Sequence, residues 1–105
     1  MDEEMIKINM EIIAHAGMAK TYYLNALDAA RNGDFNEADQ AYQQAREEYL
    51  IAHRTHADIL QRFASGETIK SDILLIHAEN HLSSAEILGH LAEEIIELRK
   101  ERNKG

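Results

Sequence analysis

The stretch Ser71–Arg102, SDILLIHAENHLSSAEILGHLAEEIIELRKER, decides the fold of this chain. Its apolar residues recur at helical spacing on more than one side. Leu74, Ala78, Ala85, Leu88, Ala92 and Ile95 form one stripe, and Leu75, Leu82 and Ile96 form a second. A third seam reads Ile73, His77, Asn80, Ser84, Ile87, Leu91, in steps of four, three, four, three and four. That is heptad spacing. A helix packed on one side only needs a single stripe. The extra seam therefore predicts a second packing partner, another subunit, with polar residues in it to set register.

Glycine marks off the rest of the chain. Asn32-Gly33-Asp34 and Ala64-Ser65-Gly66-Glu67 each follow a long periodic segment, as helix C-caps do. Three helices are predicted, at about 3–31, 36–62 and 71–102, the last with Ser71 as its N-cap. In the first, Ile6, Met10, Ile13, Gly17, Leu24 and Leu27 share a stripe. In the second, Ala38, Ala41, Ala45, Tyr49, Ala52, His56 and Ile59 line a face of mostly small residues. Acidic residues at the start of the first helix and basic residues at the end of the third suit the helix dipoles. With short connections, the expected architecture is all-α, a three-helix antiparallel up-down-up bundle occupying residues 1–105 as one domain.

Composition agrees and excludes several functions. The chain has no proline, so long helices run uninterrupted. Its 19 acidic against 11 basic residues give a formal charge of −8. Nucleic acid and anionic membrane surfaces call for the opposite sign. The absence of cysteine removes thiolate chemistry and fits a reducing cytoplasm, the expected location. Met1-Asp2-Glu3-Glu4 is not the basic n-region of a signal peptide. Ile73-Leu74-Leu75-Ile76, the longest strongly apolar run, is too short for membrane insertion.

The chemistry concentrates in Ile76-His77-Ala78-Glu79-Asn80-His81. His77 and His81 are one helical turn apart and share a face, with Asn80 between them and Ser84 one turn beyond. A zinc site of the metalloprotease kind needs Glu directly after the first histidine, where this chain has Ala78. Glu79 lies about 200° around the helix from His77. Two further readings stay open on spacing alone. The histidines are polar seam residues satisfied by hydrogen bonds, or a neutral imidazole attacks phosphorus and holds it in a labile N–P bond. His15, His53, His56 and His90 lack any comparable cluster.

The stretch from Ser71 to Leu82 resembles the signature of lactose/cellobiose-class enzyme IIA of the bacterial sugar phosphotransferase system, commonly written S-L-L-L-V-H-A-Q-D-H-L-M. Ile12–Ala19, Gly33–Ala38, Ala52-His53 and Ala64–Glu67 resemble the same family's first helix, first turn, second helix and second loop. The resemblance implies a homotrimer, hence a nine-helix bundle. It implies a phosphohistidine carrier in which His77 takes phosphate from the histidine phosphocarrier protein HPr. His77 would then pass it to a cysteine of the cognate enzyme IIB, for uptake of cellobiose, lactose or chitobiose. His81 matches the second histidine and would position the ring or the phosphoryl group. The modified nitrogen would be Nε2.

Two residues depart from the family pattern. Asn80 stands where the family has an Asp, three copies of which hold a divalent metal such as Mg²⁺ at the trimer axis. A neutral amide is a poorer ligand for a hard cation. No cofactor is otherwise required. Glu79 replaces a Gln and would repel phosphate if it faced inward, so it is expected to point outward or to pair with a cation. The competing function is a non-catalytic helical interaction module. Gly33–Tyr42 reads like the turn of a helical repeat, but it occurs once, and that reading leaves the histidine pair unexplained.

Overall fold

Three helices make up the computed structural model, which describes residues 2–104: α1 (Glu3–Arg31), α2 (Phe35–Ala64) and α3 (Ile73–Lys104). Met1 and Gly105, the ends of the predicted domain, lie outside the described residues. Each helix starts on an aspartate. Asp2 accepts from the Glu4 amide at 3.0 Å, Asp34 from Glu37 at 3.1 Å, and Asp72 from Leu75 at 3.0 Å. Such caps satisfy one of the amides left free by the first turn. The Asp72 carbonyl also accepts from the Ile76 amide. Asp72, and not the expected Ser71, is therefore the N-cap of α3, because a carboxylate is at least as good an acceptor and lies one residue nearer the apolar run. Helix α2 likewise begins one residue earlier than expected and ends two later, and α3 runs on to Lys104.

The two glycine breaks end their helices as predicted. Gly33 (φ 80°) and Gly66 (φ 98°) take left-handed conformations, which a side chain would oppose. The amides that follow them, of Asp34 and Glu67, reach back to the carbonyls of Ala29 and Arg62 at 2.9 and 3.1 Å. This is the Schellman closure. Arg62 then clamps the second loop, donating through Nε and Nη2 to Glu67 and through Nη1 to Glu4 at the start of α1.

Lateral contacts give the topology. Glu4 and His15 of α1 meet Arg62 and Glu48 of α2, so these helices are antiparallel. His56 and Tyr42 meet Glu79 and Glu93, so α2 and α3 are antiparallel too. The up-down-up bundle is a rod 56 Å long and 21 × 18 Å across.

Alanine dominates the core. Ala16, Ala19, Ala26 and Ala30 of α1 face Ala38, Ala45 and Ala52 of α2 and Ala78, Ala85 and Ala92 of α3, with Ile12, Tyr23, Tyr49, Ile59, Leu75, Leu82 and Ile96 filling the gaps. Small side chains let helix axes approach closely. The α2 face is the one expected. The α1 stripe is not. Its buried residues are Asn9, Ile12, Ala16, Ala19, Tyr23, Ala26, Ala29 and Ala30, while Met10 and Leu24 of the expected stripe are about half exposed. Large aliphatics draw attention to a stripe, but the close helix pairing here selects the alanine side. On α3 the first two predicted stripes merge into one inward face, on which Leu74 and Leu88 are half-buried and Ile95 stays exposed.

Gly89 closes that face against α1. A β-carbon there would stand 2.7 Å from both Cζ and the hydroxyl of Tyr23, itself only 1% exposed. The Tyr23 ring is held beside Tyr42, at 5.4 Å between centroids. Alanine is worth about 1 kcal/mol more than glycine in a helix, but overpacking costs about 1–3 kcal/mol. Gly89→Ala is expected to lose up to about 2 kcal/mol net, read as a lower denaturant midpoint at unchanged slope.

The tyrosines also carry a pH signature. Burial first, then the hydrogen bond and charge of Glu93, push Tyr42 up to about 12, and burial raises Tyr23 and Tyr49 as well. In the folded chain these phenols hold their protons where the unfolded chain has lost them. Their stabilisation is complete below pH 10.0 and drains away as pH climbs toward 12. Tyr42→Phe should flatten this alkaline loss in chemical unfolding curves, and an unchanged slope would contradict the assignment.

Candidate functional site

Halfway along the rod, α3 presents a line of side chains that its own bundle leaves uncovered. Ile73 is 84% exposed, Ile87 60% and Leu91 55%, and His77, Asn80 and Ser84 between them are exposed as well. This is the third seam of the sequence. Its uncovered state follows from geometry, because α1 and α2 already occupy the opposite side of α3.

His77 and His81 stand on this helix as spacing required. Their rings meet edge to face, 86° apart in plane with centroids at 4.5 Å, and the two Nε2 atoms are 3.1 Å apart. His77 is exposed and His81 half-buried. Behind His81 lies Lys20, from α1. Its ammonium is 2.8 Å from His81 Nδ1 and donates to Ser84 Oγ at 3.0 Å. The Ser84 hydroxyl in turn donates to the His81 carbonyl at 3.0 Å.

Donor and acceptor bookkeeping now sets the protons. An ammonium only donates. His81 Nδ1 must accept from Lys20, so the His81 proton sits on Nε2. That N–H points at His77 Nε2, which must accept. His77 is thereby left with its proton on Nδ1 and a lone pair on Nε2. A second proton on His81 would face the Lys20 ammonium. Partial burial, Lys20 and His77 together hold His81 below the ordinary imidazole range.

The remaining predicted residues fall into place around this pair. Glu79 turns away from it and accepts from His56 Nε2 at 2.8 Å, so its charge is directed off the site. Asn80 lies on the exposed seam between the histidines. His15 pairs with Glu48 on a different face. Lys20 was not anticipated. A signal for it was present, because the first-helix stripe skips from Gly17 to Leu24 and Lys20 fills the gap at spacings of three and four.

A helical bundle carrying an exposed, neutral imidazole with its Nε2 lone pair held ready is the framework of a phosphohistidine phosphotransferase component. The family model for the lactose/cellobiose-specific IIA subunit of the phosphotransferase system (PTS) matches residues 7–100, and the chain belongs to that family. It is a component of the sugar phosphotransferase system that carries phosphohistidine, and the non-catalytic module is set aside. The chain is 39% identical over 98 residues to the lichenan-specific phosphotransferase enzyme IIA component of Bacillus subtilis, covering 93% of this chain and 89% of that one. The crystal structure of the cellobiose-specific enzyme IIA from Bacillus anthracis superposes with a TM-score of 0.90 at 35% identity, over 93% of this chain and 90% of the other. The IIA(chitobiose) of an Escherichia coli IIA–HPr complex follows at 0.78 and 27%, over 97% and 99%. Among the described residues, no helix is long and apolar enough to cross a membrane.

Proposed function

We propose that His77 accepts a phosphoryl group on Nε2 from HPr and passes it to a cysteine of a cognate enzyme IIB, for uptake of a β-glucoside or disaccharide such as cellobiose, lactose or chitobiose. The observation that carries this reading is the exposed His77 ring with its Nε2 set 3.1 Å from His81 Nε2. In the transfer, the lone pair forms the new N–P bond as the donor's N–P bond breaks and the donor imidazole leaves with its electron pair. The His81 N–H, released from His77, donates to a phosphoryl oxygen. Exchange between two imidazoles is chemically near-balanced, so positioning and charge do most of the work. The E. coli IIA–HPr complex among the structural relatives supports HPr as donor.

In this reading the chain works in the cytoplasm as a homotrimer, its three α3 seams meeting in a nine-helix bundle with His77 at a subunit boundary. Three Asn80 amides would meet near the axis. Their neutral oxygens suit hydrogen bonds between copies better than a divalent cation such as Mg²⁺, and no step of the transfer is routed through a metal.

The test is to supply phosphoenolpyruvate, enzyme I and HPr, and to measure intact mass before and after acid. One acid-labile phosphoryl group per chain, transferable to enzyme IIB, is the expected result. An unmodified chain beside demonstrably phosphorylated HPr would defeat the proposal.

A further inference from the structure

Two imidazoles stand side by side in the seam, and either one offers a nucleophilic nitrogen by its chemistry alone. Spacing on α3 does not distinguish them, since each is one turn from the other. What differs is α1. Lys20 reaches across to His81 and to Ser84, and its hydrogen bonds among the described residues go to these two and not to His77. We propose that Lys20 is the positioning residue that makes His77 the acceptor and His81 its assistant, by occupying His81 Nδ1 and so forcing the His81 proton onto Nε2. The inference deepens the phosphocarrier reading and rests on it.

The consequences follow from valence. With Nδ1 engaged by an ammonium and Nε2 protonated, neutral His81 has no free lone pair to offer phosphorus. It has one N–H, and that N–H is directed at His77 Nε2. The neighbouring ring is thereby left with an unprotonated Nε2. Without Lys20, His81 Nδ1 is released and both tautomers become accessible. In the second tautomer His81 Nε2 is bare, His77 is free to place its own proton on Nε2 and donate it across the 3.1 Å gap, and the roles of acceptor and assistant are no longer fixed. Ser84 fixes the direction of the lysine. Its own proton is committed to the His81 carbonyl, so its oxygen accepts from the ammonium and anchors Nζ one turn beyond His81. Lys20, His81 and His77 thus form a hydrogen-bonded chain that starts from a group able only to donate and ends at His77 Nε2.

The experiment reads protons first and phosphate second. Long-range ¹H–¹⁵N correlation spectra of ¹⁵N-histidine-labelled protein at neutral pH assign the tautomer of each ring. The wild type is expected to carry the His81 proton on Nε2. Lys20→Met, which keeps most of the side-chain bulk, should convert His81 to a mixture. It should also slow phosphoryl uptake from HPr at saturating donor by about tenfold or more, less than the roughly hundredfold for outright loss of a positioned donor because His81 keeps its N–H in part of the mixture. Lys20→Arg, which also only donates, should restore the His81 tautomer and most of the rate, a rescue that simple packing loss would not produce. A wild-type His81 protonated on Nδ1, or a Lys20→Met protein with both tautomer and rate unchanged, would overturn the assignment. Failure of the wild type to take phosphate would instead strike the phosphocarrier reading, and the spectra would still decide the role of Lys20.

Discussion

His77→Ala is expected to take up no acid-labile phosphate from HPr, while His15→Ala is expected to take up as much as the wild type. The expected loss exceeds about a thousandfold, because the substitution removes the attacking atom itself and not a group that assists it. Nothing else in the seam substitutes for it. His81 has its Nδ1 under Lys20 and its proton on Nε2, and His15 is paired with Glu48 on another face. The fold should be indifferent to the change, since His77 is exposed and its one side-chain hydrogen bond among the described residues is to His81. Circular dichroism and the thermal midpoint should therefore match the wild type. Residual phosphorylation near the wild-type level would place the acceptor elsewhere.

Charge in the seam should dissolve the assembly without unfolding the subunit. Ile87 and Leu91 are 60% and 55% exposed in the single chain. Covering such side chains contributes about 1.5–3 kcal/mol each when burial is complete. Replacing both with Glu removes that term from every copy. In the proposed trimer it would also bring like charges together around the axis, where desolvating a carboxylate costs several kcal/mol more. A trimer that loses about 4 kcal/mol or more weakens at least a thousandfold. Ile87→Glu/Leu91→Glu should therefore scatter light as one chain at micromolar concentration where the wild type scatters as three, with helicity retained because neither residue belongs to the bundle core. A wild type that is monomeric under these conditions, or a variant that stays trimeric, would contradict the seam's role. The double variant also isolates the subunit boundary. If a neighbouring copy completes the His77 pocket, phosphoryl transfer should fall with the assembly even though His77, His81 and Lys20 remain in place.

What sequence determined here was local. Proline-free periodic segments, acidic starts and two Gly-containing stops placed three helices almost to the residue, since caps and left-handed glycines act within a few positions of themselves. The pairing of His77 with His81 was equally readable, because it depends only on helical pitch. The uncovered third seam followed from counting stripes. Tertiary structure decided the rest. It chose the alanine side of α1 over the aliphatic stripe, since close approach of two helices favours small side chains whatever the hydropathy of the alternatives. It set Gly89 against Tyr23, a contact between residues 66 positions apart that no periodicity encodes. Above all it delivered Lys20 to His81. A tautomer is settled by whichever donor or acceptor reaches the far nitrogen of the ring, and here that group comes from another helix, so only the folded bundle could assign the protons.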